Sequence, residues 1–339
     1  MTDLAHGDPG HPADTAVVAV DIGGTTIKGA AFDDRGALLD RLTVPTFGVE
    51  SSAVESLAAL VGRLEGAIAG GGRRLAGIGV ASPGLVDPVH GRVSFAANLG
   101  WSDLPLVDIL TERFGVPVAL EHDGRAAARA ERAARIAAGR DGDEFVFVPI
   151  GTGISAAIVT GGVVVQGATG GAGEFGHVQV VPDGELCTCG QRGCIEVYAS
   201  ASAIVRRYRA QGGTSTGLTR EITEAVDDDP VAARVWDAAV GALATGITGL
   251  AALLDPTAIV IGGGLGEAGE RLLVPLRARV AEHLGWRVPP LIEQSLVGPG
   301  AGLEGAALLL GPVARGSRAP GSTLVSPPAS VPSPPKEFS

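Results

Sequence analysis

The chain has 339 residues, 45% hydrophobic and 19% charged, a balance that fits a soluble globular protein and excludes disorder throughout. Its formal net charge of -11 argues against a protein that wraps nucleic acid, because neutralising phosphates needs a concentrated basic surface. The length exceeds that at which a single hydrophobic core keeps growing, so two lobes are expected.

The leader MTDLAHGDPGHPAD has early acids and prolines and no apolar core, so residues 1–15 read as flexible, neither a secretory signal nor a membrane anchor. The apolar runs GLAALL and TAIVIGGGLG are broken by Asp255, Pro256 and glycines short of membrane-spanning length, and a cytoplasmic protein is expected. Ala16 to Val20 predicts a strand running into DIGGTTIKG, with Lys28 to Phe32 as its hairpin partner and a third strand over Leu38 to Val44. Gly23 and Gly24 lack Cβ atoms, so backbone N–H groups, Thr25, Thr26 and Lys28 can approach phosphate oxygens, and Asp21 can orient Mg²⁺ through water. The competing reading is a tight hairpin with glycines at positive φ.

A helix follows over Ser52 to Ala69, capped by Ser51 or Ser52, then a strand over Leu75 to Val80 and the SPG turn. The first lobe is expected to span residues 16–121. Next, LEHDGRAAARAE places Asp123 between a strand and a helix, where it is either an N-cap or a general base. Arg125, Arg129, Arg132 and Arg135 fall near one face of the helix from Gly124 to Gly139, read as a solvated face in preference to an anion site.

The second lobe, residues 122–300, opens with strands over Phe145 to Ile150 and Ser155 to Val159. Between them Gly151, Thr152 and Gly153 repeat the glycine turn of the first lobe, as in a duplicated α/β fold. A helix within Val231 to Leu254 and a strand over Ala258 to Ile261 lead to a third turn, Gly262, Gly263 and Gly264, where a nucleobase or ribose can lie. A final helix is expected over Leu303 to Leu310, within a terminal element of residues 301–313 that returns to the first lobe. Residues 314–339, rich in Ser and Pro, read as a disordered tail.

All three cysteines lie in GAGEFGHVQVVPDGELCTCGQRGCIE. His177, Cys187, Cys189 and Cys194 form a tetrahedral zinc set within the loop of residues 177–194, and four ligands make the metal structural rather than hydrolytic. A disulfide reading is disfavoured by the strain of C-x-C. The same segment carries Glu174 and Glu196, which suit sugar hydroxyls if they are not simply exposed loop residues. His6, His11, His90 and His283 have no companions and read as surface or structural residues.

Taken in order, DIGGTTIKGA, GIGVASPGLVD, NLGW, EHDGRAAA, GTG, GAGEFGH with CTCGQRGCIE, and DPTAIVIGGG resemble the ROK family of sugar kinases and sugar-responsive repressors. The resemblance implies an α/β, two-lobed actin-like ATPase fold, ribonuclease H-like and duplicated, with sugar and ATP in the interlobe cleft. It implies γ-phosphoryl transfer to a hexose, glucose first, with Asp123 as base. Gly84, Asn98, His122, Asp123, Glu174, His177 and Glu196 match sugar-contacting positions, and His177 would use one ring nitrogen for zinc and the other for sugar. The Asp21 and Gly151 turns match phosphate segments, and Gly262 to Gly264 the adenosine segment. ATP, Mg²⁺ and structural Zn²⁺ are the implied cofactors, with no nucleic-acid or membrane partner and a homodimer or tetramer expected. The sequence departs from the family pattern at His122, where an asparagine is usual, and at Ser155 and Ala156, where glycine is common. N-acetylglucosamine, N-acetylmannosamine and fructose therefore stay open as acceptors. The short leader leaves no room for an N-terminal helix-turn-helix, which disfavours a repressor.

Overall fold

The first strands form because β-branched and small apolar residues alternate with positions that meet a helix or solvent. A computed structural model describes residues 15–48, 51–214 and 217–311. The expected leader of residues 1–15 and tail of residues 314–339 lie outside these, apart from Thr15. β1 (Thr15–Ile22), β2 (Thr26–Asp33) and β3 (Leu38–Pro45) make an antiparallel meander. α1 (Ala53–Gly70) crosses back to β4 (Arg74–Ser82), parallel to β1. Ser52 caps α1 in a reciprocal box with Glu55, which fixes where the helix begins.

Three short strands that the sequence pattern does not announce follow: β5 (Leu85–Asp87), β6 (Arg92–Ala96) and β7 (Trp101–Leu104), paired as a separate antiparallel sheet. α2 (Leu106–Phe114) then leads to β8 (Val118–His122), which joins β4 in parallel, and α3 (Asp123–Ala137) leaves its end. The first five-stranded sheet therefore has the order β3-β2-β1-β4-β8.

β9 (Phe145–Pro149), β10 (Ala157–Thr160) and β11 (Val163–Val164) form a second meander. After the cysteine segment come α4 (Glu196–Ala199), α5 (Ala201–Ala210), α6 (Thr219–Glu224) and the long α7 (Pro230–Leu254). β12 (Ala258–Gly262), α8 (Gly263–Gly266), α9 (Glu270–His283) and β13 (Leu291–Gln294) complete the sheet in the order β11-β10-β9-β12-β13. Two antiparallel and two parallel neighbours recur in the same sequence in both sheets, so the α/β fold is duplicated, as the paired glycine turns suggest.

By length and composition α7 is apolar enough to cross a membrane, longer than the sequence reading of interrupted apolar runs allows. Its buried face, including Val235, Leu243 and Ile247, packs with Ile259 and Ile261 of β12 and Leu276 of α9 in the second core. The last helix, α10 (Ala301–Leu308), packs against β1 and α3. Glycines allow that approach: a Cβ on Gly79 would lie 1.9 Å from the Ala306 carbonyl oxygen, and one on Gly305 1.8 Å from that of Ala126.

The arginine face of α3 is solvated only in part, for Arg129 and Arg132 keep side-chain exposures of 38% and 34%. Arg125 and Arg135 are buried, and all four arginines are ion-paired, Arg125 and Arg129 with Glu121, Arg132 with Asp143 and Arg135 with Glu293. The carboxylates come from Glu121 in β8, from Asp143 just before β9 and from Glu293 in β13, so the buried part of that face is ion-paired. His90 pairs with Asp87, and His283 lies against Thr248; His6 and His11 fall outside the described residues.

Candidate active site

Asp21 ends β1 opposite Lys28 of β2. A Cβ on Gly302 would lie 2.9 Å from its carboxylate, so α10 closes one side of it. Burial, then the nearby charge of Asp123, push the Asp21 carboxyl up to about 6, against a smaller opposing effect of Lys28. Two carboxylates from the ends of β1 and α3 thus feel one another, and a divalent cation would offset their combined charge.

Asp21 yields a prediction. In the unfolded chain it ionises near 3.8, in the folded chain near 6, so ionising it costs stability as pH rises between those values. Asp21→Asn is expected to stabilise the ligand-free protein by about 3 kcal/mol at pH 7.5, with the gain vanishing towards pH 4. Denaturant melts at both pH values check it; an equal gain at both would show that ionisation is not the cause.

The turn from Gly23 to Thr25 is a hairpin connection, but neither Gly23 nor Gly24 has a positive φ. Glycine is needed for close approach instead: a Cβ on Gly24 would stand 3.2 Å from Asn98 Nδ2. Gly24, Thr25, Thr26 and Lys28 are exposed, and Thr46 fixes the turn by donating its hydroxyl to the Gly23 carbonyl at 2.6 Å. Gly84 does adopt φ +92°, and a Cβ there would strike the Phe95 carbonyl oxygen at 2.2 Å, so the SPG turn packs its backbone on the end of β6, two residues before Asn98.

Asp123 is the first residue of α3 rather than its N-cap, which is His122. One carboxylate oxygen, Oδ1, accepts from the Gly124 N–H at 2.6 Å and lies 3.2 Å from His122 Nε2. The Asp123 side chain is 40% exposed, and Oδ2 takes part in neither contact. His122 is buried, with Nδ1 unpartnered among the described residues. That atom faces Gly124 near Ser155, two residues from the second glycine turn.

Gly151 to Gly153 is a tight turn in which the Gly151 N–H donates to the Gly153 carbonyl. Three groups of the cysteine-segment side hold it. Glu196 accepts from the Ile154 N–H at 2.8 Å, the Ala201 N–H donates to the Gly151 carbonyl, and Ser202 donates to the Thr152 carbonyl. The Gly262 to Gly264 turn leans on the same strand end, with the Leu265 N–H donating to the Ile150 carbonyl and Gly263 at φ +71°. Beside it Gly264 lines a cavity of about 270 Å³ with Thr219, Thr223 and Glu224 of α6 and Arg271 of α9. Sequence reasoning missed the α6 wall, because α6 is six residues long and carries no motif. A second cavity, between β3 and α1 beside Arg63 and Arg113, holds none of the candidate residues.

His177 and the three cysteines converge, their ligand atoms all within 4.8 Å of one another. Cys189 and Cys194 sulfurs stand 3.7 Å apart, and Cys187 Sγ lies 3.8 Å from His177 Nδ1. Tetrahedral zinc with Zn–S near 2.3 Å requires ligand separations of about 3.8 Å, so the donor set fits that ion. Burial, then the neighbouring thiols, push Cys194 up to about 12, so three thiolates would not crowd there without a cation. Gly190 and Gly193 take positive φ in the loop, and a Cβ on Gly193 would overlap the Val181 carbonyl. With Nδ1 turned to the cluster, His177 Nε2 is on the side of Glu174, whose Oε2 is 4.0 Å away and exposed. Glu174 itself leads the short turn of residues 175–177.

The ROK family model matches residues 17–312. A glucokinase of Streptomyces coelicolor is 33% identical over 311 residues, covering 86% of this chain and 96% of that protein. A kanosamine kinase of Amycolatopsis mediterranei is 31% identical over 302 residues, covering 88% and 97%. A crystal structure of a glucokinase from Streptomyces griseus in complex with glucose and AMPPNP superposes with a TM-score of 0.74 at 35% identity, covering 87% of this chain and 98% of that one.

Proposed function

The chain belongs to the ROK family of actin-like fold, and on that premise we propose that this sugar kinase transfers the γ-phosphoryl group of ATP to glucose, giving glucose 6-phosphate and ADP. The observation that carries the mechanism is the placement of Asp123 at the head of α3, partly exposed, with its charge felt by Asp21 at the end of β1. A sugar hydroxyl donates its proton to Asp123 as its oxygen attacks the γ-phosphorus; the bond from phosphorus to the bridging oxygen breaks and ADP leaves.

Around that reaction the chain's residues position and hold charge. Gly84, Asn98, His122, Glu174, His177 and Glu196 are the sugar contacts in this reading, and the His177 ring divides between zinc through Nδ1 and a hydroxyl through Nε2. The turns at Gly23 and at Gly151 hold phosphates through backbone N–H groups, with Thr25, Thr26, Thr152 and Lys28 beside them. Gly262 to Gly264 and the cavity lined by α6 take the adenosine. Mg²⁺, when bound near Asp21, supplies the positive charge that spreads over the β- and γ-phosphates. The ion held by His177, Cys187, Cys189 and Cys194 is zinc in a structural role, and the enzyme acts in the cytoplasm.

Glucose is favoured by the coverage and identity of the glucokinases. A second reading, another hexose or hexosamine, rests on His122, because a buried ring with an unpartnered nitrogen occupies the place next to the base. Purified protein with Mg-ATP is expected to release ADP most rapidly with glucose, when compared with N-acetylglucosamine, N-acetylmannosamine, mannose, fructose and no sugar. A stronger response to another sugar would replace the acceptor; no sugar-dependent release from zinc-loaded protein would leave a sugar-binding regulator in its place.

A further inference from the structure

We propose that Arg125 is a positioning residue for the hexose, a buried strap that fixes the glycine-rich segment ahead of Glu174 and the strand after Gly84 relative to Asp123. The proposal rests on the kinase reading for its catalytic consequence but not for its structural one. Arg125 is 1% exposed and stands two residues after Asp123. Its Nε donates to Glu121 Oε1 at 2.7 Å, its Nη1 to the Gly170 carbonyl at 2.8 Å and its Nη2 to the Val86 carbonyl at 3.4 Å. One planar guanidinium thereby joins the end of β8, the strand β5 of the small sheet and the loop that leads to Glu174.

Each partner is set for that role. Glu121 is buried, and its Oε1 also accepts from the His122 N–H at 2.9 Å, so the strap's anchor adjoins His122 and lies two residues before Asp123. Gly170 has φ +77°, and a Cβ on it would lie 2.7 Å from the Val86 carbonyl oxygen, so the loop backbone reaches β5 directly. The loop's far end is fixed by the Ala156 N–H, which donates to the Gly173 carbonyl at 2.7 Å. Glu174 is the next residue. A segment tethered at Gly170 and Gly173 has little freedom left to misplace Glu174, and small displacements of a substrate-holding group cost much in rate.

The nucleotide side has its own supports at Glu196, Ala201 and Ser202, so the strap should act on sugar and not on ATP. Lysine keeps the charge beside Glu121 but lacks the fork that reaches two carbonyls at once. Arg125→Lys is expected to raise the hexose KM about tenfold and lower kcat, with the ATP KM within about twofold of wild type. Arg129→Ala removes another partner of Glu121, at the helix surface, without touching the loop, and is expected to keep wild-type kinetics. Hydrogen exchange supplies a readout independent of activity: amides of Ala156, Ala172 and Phe175, bonded within this loop, should exchange faster in Arg125→Lys. Unchanged hexose KM and unchanged exchange in the folded variant would overturn the proposal, as would equal shifts in both substrate KM values. Faster exchange in a protein that shows no sugar-dependent ADP release would leave the strap standing and remove the kinase reading. Should the lysine variant not fold, sugar-free wild type decides: protection of these three amides before sugar is added is expected, and protection only after its addition would refute a built-in strap.

Discussion

Asp123→Asn is expected to lower kcat by about 10²–10⁴ while hexose affinity stays within about threefold. The substitution keeps size and shape, so Oδ1 can still accept from the Gly124 N–H, the contact that orients the side chain. In the proposed mechanism it removes the one capacity asked of this position, taking a proton at Oδ2. Losing a negative charge from the first turn of α3 costs only about 0.3–1 kcal/mol, too little to unfold the protein. Since the charge of Asp123 helps to hold the Asp21 carboxyl up, the variant should also bring Asp21 down from about 6. The pH-dependent stability gain of Asp21→Asn should therefore shrink in the Asp123→Asn background, a coupling that double-variant melts measure. Isothermal titration with glucose and steady-state ADP release check the main claim. A variant with kcat within threefold of wild type would end the assignment of Asp123 as base.

Why this residue was ambiguous in the sequence is a matter of one position. Strand, acid, glycine and alanine-rich helix describe an N-cap as well as a first helical residue, and local preference favours the cap. The tie is broken by pairing: β8 runs parallel to β4 with Ser82 opposite His122, which carries the extended chain through His122 and makes it the cap. The duplicated sheet was legible because both halves announce it with the same strand and glycine turn. β5, β6 and β7 were not, since three to five residues with half-exposed polar positions give no period to read. The arginines of α3 show the same limit from another side. Helical spacing shows that they share a face, but Arg135 is buried by Glu293, 158 residues later, and Arg125 by carbonyls of β5 and of the loop at Gly170. The cysteine cluster, by contrast, was legible as a unit, because one imidazole and three thiols so close in the chain make a tetrahedral donor set whatever fold surrounds them.

Cys187→Ser is expected to reduce bound zinc from about one per chain to a small fraction and to weaken hexose and ATP together. The buried Cys187 shares the cluster with Cys194, and Cys194 stands two residues before Glu196. The Glu196 carboxylate accepts from the Ile154 N–H beside the Gly151 turn, so disorder in the cysteine loop would be carried to the turn proposed to hold phosphate as well as to Glu174 and His177. Backbone bonds across the loop, with the Val180 and Val181 N–H groups donating to the Gly193 carbonyl and the Cys187 N–H to that of Gln191, add to its isolated β-bridges, Gln179 with Cys194 and Leu186 with Arg192. Zinc in small peptides contributes about 10–16 kcal/mol of apparent binding energy, against about 0.5–1.5 kcal/mol net for each such bond, so loss of the ion is expected to loosen the loop. Metal analysis with separate titrations of sugar and nucleotide tests the chain of contacts in order. Full zinc content in the variant would remove Cys187 from the ligand set. Lost zinc with ATP affinity unchanged would show instead that Glu196 holds the Gly151 turn without help from the metal.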